Sequence, residues 1–272
     1  LESHEIDVLY GALNGVEGLM DERLVNLTDI FDHNEENLNV LKLTPAMYLG
    51  SCRRKLKDVD QDSSEYDIII NIFRKYHIHY FFYIGGNDSM DTVGKMSRYV
   101  KEHQMDVKVI GIPKTIDNDL VVTDHTPGFG SAARYVAASV LEMAHDTYIY
   151  NTKSVLIAEI MGRDAGWLTA ASVLARNSYS RAPHLIYLPE HPFSKEQFIE
   201  DIKAQFKQRE HIVIAVSEGL RDADGHYISA ETAAVDAFGH ATLSGTGKCL
   251  EGLVAETFGC KVRSVEINVL QR

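Results

Sequence analysis

The chain has 272 residues, 45% of them hydrophobic and 24% charged, enough to bury one large core or two smaller ones. Lys+Arg 27 against Asp+Glu 39 gives a net charge of −12, which argues against a general nucleic-acid binder or a membrane-surface protein. An anionic ligand stays open, because local lysines and helix N-termini set the field in a pocket.

In chain order, Ile6–Tyr10 reads as a short strand ending at Gly11. Asp67–Tyr76 is an apolar helical segment, His79–Ile84 an aromatic and β-branched strand, and Asp91–His103 a helix. Val107–Ile112 is the next strand, followed by a long small-residue helix over Gly130–Thr147. Then come a strand at Ser154–Ile160, a helix at Ala165–Ala175 and a strand at His184–Leu188. Lys195–Arg209 is an amphipathic helix with Phe198, Ile199, Ile202 and Phe206 at helical spacing. Ile212–Val216 is a strand and Lys248–Phe258 a helix. This alternation predicts an α/β protein of two Rossmann-like lobes, with mainly parallel sheets and helices on both faces. Pro127-Gly128 marks a hinge, giving lobes 1–127 and 128–272, and Asp222–Gly247 is the least structured segment. Cys52, Cys249 and Cys260 form no CxxC pair. With no secretory signal and no membrane-length apolar run, a reduced, cytoplasmic protein is expected.

The polar turns after these strands carry the chemistry, since ligands of open α/β sheets bind beyond the carboxyl ends of strands. Gly85-Gly86-Asn87-Asp88-Ser89 lets backbone approach a ligand, and Asn87, Asp88 or Ser89 can cap the next helix. It reads either as a phosphate site or as a well-capped strand–turn–helix. In Pro113-Lys114-Thr115-Ile116-Asp117-Asn118-Asp119, Lys114 can hold phosphate, Asp117 can act as a base and Asp119 can face a metal. The alternative is an Asx-rich turn bonding its own backbone. Met161-Gly162-Arg163 offers a forked donor set for phosphate, unless Arg163 pairs with Asp164 at the surface. Glu218, in Ser217-Glu218-Gly219, can accept hydrogen bonds from sugar hydroxyls or serve as a cap. Ser244–Cys249 imitates the end of a P-loop with the wrong final residue and spacing, and reads as the start of a helix.

These motifs, in this order and spacing and with the closing Arg263…Gln271-Arg272, resemble the phosphofructokinases over nearly the whole chain, and Asp88 and Lys114 are similar to the pyrophosphate-dependent branch. The resemblance implies transfer of a phosphoryl group from pyrophosphate to the 1-hydroxyl of fructose 6-phosphate, with Mg²⁺. It implies Asp117 as base, Lys114 and Thr115 at the transferring group, and Asp119 and Asn87 as metal ligands. Asn87 stands where the family usually carries Asp. Met161, Gly162, Arg163, Glu218, Arg263 and Arg272, with Asp119, fall on the sugar-phosphate side. Arg53, Gly86, Asn87, Asp88, Ser89 and Lys114 fall on the donor-phosphate side. A carboxylate at Asp88 repels a nucleotide's α-phosphate, and Lys114 neutralises the leaving phosphate. The resemblance further implies a homodimer or homotetramer, with 1–127 as donor lobe and 128–272 as sugar-phosphate lobe. The family's first strand and Gly-rich loop are not matched, so a chain truncated at both ends is expected. The rivals are an ATP-dependent phosphofructokinase and a non-catalytic regulatory subunit.

Overall fold

The computed structural model describes residues 6–44, 46–229 and 245–271. The chain forms two compact units, 1–113 and 114–272, meeting upstream of the Pro127-Gly128 step expected from sequence. Gly128, with φ 87°, instead stands at the N-terminus of a helix.

In unit 1, β1 (Tyr10–Ala12) pairs antiparallel with β2 (Leu24–Asn26) across α1 (Gly15–Met20). The expected strand Ile6–Tyr10 is therefore displaced: Ile6, Val8 and Leu9 are exposed and unpaired in any sheet, and pairing begins only at Tyr10. Two short helices follow, α2 (Leu27–Phe31) and α3 (Glu35–Leu43). The unit continues with α4 (Ser64–Lys75), β3 (Tyr80–Gly85), α5 (Asn87–Glu102) and β4 (Lys108–Pro113). Helix α4 forms because Tyr66, Ile69, Ile70 and Phe73 repeat at helical spacing, with acids in its first turn and Arg74 and Lys75 in its last. That face packs with Val16, Leu19, Met96 and Tyr99 into one core. Strands β3 and β4 are parallel, Gly85 opposite Pro113.

Unit 2 holds a four-stranded parallel sheet in the order β6-β7-β5-β8. Its elements are α6 (Phe129–Tyr148), β5 (Ser154–Ile160), α7 (Trp167–Ala171), β6 (Leu185–Tyr187), α8 (Lys195–Phe206), β7 (His211–Ser217), α9 (Thr246–Phe258) and β8 (Lys261–Glu266). The helix expected over Ala165–Ala175 is shorter and ends in a 3₁₀ turn, Ser172–Ala175. Every residue of β5 is buried, as a central parallel strand requires. Its alternate side chains feed two cores. Leu156, Ala158 and Ile160 pack with the Ala132, Val136, Val140 and Ala144 stripe of α6. Val155 and Ile157 pack with Phe198 and Ile202 of α8 and Leu250 and Val254 of α9. The expected helices on both faces are thus present in this unit. The carboxyl ends of β5 and β7 emit Met161-Gly162-Arg163 and Glu218-Gly219.

Candidate active site

In unit 1 the register of β3 and β4 makes two polar turns leave neighbouring strand ends. The first is a single residue long. Gly86 is itself the N-cap of α5, and Asn87, Asp88 and Ser89 form the helix's first turn. None of these three side chains caps the helix, a correction to the sequence reading: the helix starts too early for them to stand outside it. Gly85 is needed for packing, because a Cβ there would lie 2.0 Å from Ser89 Oγ. Gly86 has nothing within 4 Å of an added Cβ, so packing does not require glycine there. Ser89 is folded back on the strand, toward Gly85 and the Tyr83 hydroxyl, whose pKa burial pushes up to about 12. Asn87 is exposed, and Asp88 Oδ1 lies 3.5 Å from Lys55 Nζ. Lys55 belongs to an irregular stretch in which Arg53 is exposed and Arg54 is bound to Glu65.

The second turn opens unit 2. Lys114 and Asp119 are exposed, while Thr115 and Asp117 are half-buried. Thr115 Oγ1 accepts the Asp117 N–H at 3.0 Å. Asn118 is the anchor. It is 9% exposed, at φ 60°, a left-handed conformation that Asn tolerates better than most residues. Its Oδ1 accepts the Thr126 N–H at 2.9 Å and its Nδ2 donates to the Asp124 carbonyl at 3.2 Å. One amide side chain thus closes the loop, and Ile116 packs it against the core. The turn does bond its own backbone, as the bland reading expects, but through Thr115 and Asn118. Lys114 and Asp119 enter no such bond.

At the end of the unit 2 sheet, Met161, Gly162, Arg163 and Glu218 come together. Gly162 N–H donates to Glu218 Oε1 at 3.3 Å, and the Gly162 carbonyl accepts from Ser217 Oγ at 2.6 Å. Gly162 has φ 139°, and a Cβ there would lie 2.6 Å from the Ala165 carbonyl oxygen, so glycine is required. Gly219 is required too: its Cβ would fall 1.7 Å from the Arg163 carbonyl oxygen. Asp164 pairs with Arg221, which leaves Arg163 half-buried beside the cluster rather than tied to its neighbour.

Sequence reasoning missed the supporting role of three side chains, two of which, Gln271 and Thr246, stand in motifs it quoted. Gln271, 2% exposed, holds both main-chain groups of Met161, its Oε1 accepting at 3.2 Å and its Nε2 donating at 3.4 Å. Glu159, 4% exposed, accepts the Gly247 N–H at 2.7 Å, and burial pushes its pKa up to about 7. Thr246 Oγ1 donates to the Glu218 carbonyl at 3.0 Å. A charged residue inside the apolar run Ser154–Ile160 was the available signal for Glu159. Helix α9 begins at Thr246, as a helix start there predicts, although Ser244 lies outside the described residues.

Arg263 is not part of this cluster. It sits mid-strand on β8 opposite Leu156, five residues before Met161, or roughly 16 Å at a strand rise of ~3.3 Å per residue. Its guanidinium faces Asp146 at 3.7 Å, in a cleft of about 300 Å³ shared with Glu142, Tyr150 and Lys261. Arg272 lies outside the described residues. Among the described residues, no helix is long and apolar enough to cross a membrane.

A family profile described as Phosphofructokinase matches residues 1–266. The chain is 38% identical, over 98% of its length, to the pyrophosphate–fructose 6-phosphate 1-phosphotransferase of Halomonas elongata, covering 63% of that protein. It is 42% identical, over 98% of its length, to the protein of the same name from Rhodospirillum rubrum, covering 65% of it. The crystal structure of a pyrophosphate-dependent phosphofructokinase from Nitrosospira multiformis superposes with a TM-score of 0.82 at 32% identity, over 99% of this chain and 62% of that one. The chain thus spans a little less than two thirds of the length of these relatives. The parallel sheets, the glycines that strand-end packing demands and the near-complete profile match lead to one conclusion: the chain belongs to the phosphofructokinase family.

Proposed function

We propose that the protein transfers a phosphoryl group from pyrophosphate to the 1-hydroxyl of fructose 6-phosphate, giving fructose 1,6-bisphosphate and orthophosphate. The observation that carries this reading is the Lys114–Asp119 loop. Asn118 and Ile116 fix it, Asp117 is half-buried, and Lys114 is exposed. The similarity to relatives named for this reaction supports it.

In this reading Asp117 accepts the proton of the sugar 1-hydroxyl as its oxygen attacks a phosphorus of pyrophosphate. The bond to the bridging oxygen breaks, and orthophosphate leaves with that electron pair. Lys114 neutralises the charge gathering on the leaving group, and Thr115 orients the loop through its bond to the Asp117 N–H. Little covalent chemistry is asked of the protein, so position and charge supply most of the rate. Met161, Gly162, Arg163 and Glu218 bind the sugar phosphate, with Arg272 assigned the same role, while Arg263, mid-strand on β8, stands apart from them. On the donor side, Arg53 and the Gly86–Ser89 turn receive pyrophosphate, and Asp88 repels the α-phosphate of a nucleotide. These groups belong to the proposed donor lobe, 1–127, and those binding the sugar phosphate to 128–272. Asp119 offers an exposed carboxylate and Asn87 an exposed amide oxygen, hard donors that fit Mg²⁺. When bound, Mg²⁺ supplies charge neutralisation on the donor phosphates. A homodimer or homotetramer in the cytoplasm completes the reading, and light scattering of the full-length protein measures that assembly.

The test is phosphorus NMR of the full-length protein with Mg²⁺, pyrophosphate and fructose 6-phosphate. Fructose 1,6-bisphosphate and orthophosphate should appear in equal amounts. A protein that binds fructose 6-phosphate but forms no bisphosphate from any donor is the regulatory subunit instead.

A further inference from the structure

Glu159 is the only acidic or basic side chain that is buried among the described residues. A carboxylate inside a parallel strand is costly unless it holds something. Glu159 Oε2 takes the Gly247 N–H at 2.7 Å, in the first turn of α9. Gly247 allows this approach, because a Cβ there would lie 3.1 Å from that same oxygen. The next link is Thr246, whose Oγ1 donates to the Glu218 carbonyl at 3.0 Å. Glu218 then returns to β5: its N–H donates to the Ile160 carbonyl at 3.0 Å and its Oε1 accepts the Gly162 N–H at 3.3 Å. The contacts form a closed circuit around the start of the Met161–Arg163 loop.

We propose that Glu159 is a positioning residue for the sugar-phosphate half of the site, acting through Gly247, Thr246 and Glu218 on the backbone of Met161-Gly162-Arg163. The role rests on the reading of these residues as the sugar-phosphate binders. Helix α9 is the arm of the device. Its N-terminal N–H groups need an acceptor, and Glu159 supplies a carboxyl oxygen where water does not reach. The charged groups around Glu159 are Glu266, its neighbour across the β8 ladder, and Glu218 beyond β7. Both are acidic, so among the described residues no cation beside them explains the burial of a carboxylate.

The test compares full-length wild type with Glu159→Ala, Glu159→Gln and Thr246→Val. Glu159→Ala should raise KM for fructose 6-phosphate about tenfold and leave KM for pyrophosphate within about twofold. Glu159→Gln keeps an oxygen for the Gly247 N–H and should stay within about threefold of wild type. Thr246→Val cuts the second link without touching the carboxylate, and should reproduce the selective rise even where Glu159→Ala folds poorly. Amide exchange without ligand should show lost protection in peptides containing Gly162 and Gly247, with unit 1 unchanged. Unchanged exchange at 161–163, or equal weakening of both substrates in Thr246→Val, overturns the proposal. If wild type uses neither substrate, the proposed function fails, and exchange at Gly162 still decides the positioning role.

Discussion

The two regions that carry the chemistry are held in different ways. The Met161–Arg163 and Glu218 cluster of unit 2 is knitted from beneath by buried side chains: Gln271 on Met161, Ser217 on Gly162, Thr246 on Glu218. Two of its glycines have no room for a Cβ. The Gly86–Ser89 turn of unit 1 is the opposite. Asn87 and Arg53 are exposed, the space over Gly86 is open, and Asp88 is met by Lys55 in an ion pair at 3.5 Å. Such half-exposed pairs contribute little stability and exchange partners readily. The difference teaches that the unit 2 cluster is built into the fold, whereas the unit 1 turn presents charged side chains with few fixed partners. The Lys114–Asp119 loop lies between these extremes, its anchor Asn118 buried and its charged groups Lys114 and Asp119 outside.

The comparison can be broken most severely at the loop. Asp117→Ser should lower kcat by about 10³-fold while the dissociation constant for fructose 6-phosphate, measured by calorimetry, moves less than about threefold. A smaller fall would remove Asp117 from the role of base. In the knitted cluster, Gly219→Ala drives a Cβ into the Arg163 carbonyl. It should cost about 3 kcal/mol in denaturant unfolding. The open turn supplies the contrast: Gly86→Ala should cost under about 1 kcal/mol, since no atom stands in the way. Equal costs at the two glycines would erase the distinction between a built and an open half-site.

The smallest effect concerns the buried charge. The pKa of Glu159 is raised to about 7 from an ordinary 4.5, chiefly by burial. The fold therefore favours its protonated form. The stability this group contributes is full below pH 4.5 and is lost as pH rises through about 7. Glu159→Gln should melt a few degrees above wild type at pH 8.5, with the gap closing by pH 5. A gap that is constant with pH would mean that Glu159 does not titrate in this range.

Much of this was legible in the sequence, and the reason differs by region. Strand Ser154–Ile160 was read to the residue, because a central parallel strand is an uninterrupted apolar run apart from Glu159. The stretch from Leu13 to Ser63 was not read as elements at all, since β2, α2 and α3 are short and carry little periodicity. The start of α5 was placed too late, because a Gly N-cap gives no side-chain signal. The motifs placed polar groups at strand ends correctly, although Asn87, Asp88 and Ser89 belong to the first turn of α5 rather than to the turn before it. The residues beneath them stayed hidden: Gln271 lies 110 positions from Met161, and Thr246 lies 28 from Glu218. Only folding brings such pairs together. Arg263 shows the converse, a residue that belongs with the motifs by order along the chain yet stands mid-strand, away from Met161.

The measurement that bears most directly on the account is kcat/KM for pyrophosphate against ATP, in full-length wild type and in Lys114→Gly. Wild type should prefer pyrophosphate by at least about a hundredfold, and Lys114→Gly should lose on the order of a hundredfold with pyrophosphate while fructose 6-phosphate binding is retained. A wild type that prefers ATP, or a Lys114→Gly variant with undiminished pyrophosphate turnover, would contradict the assignment of donor choice to Asp88 and Lys114.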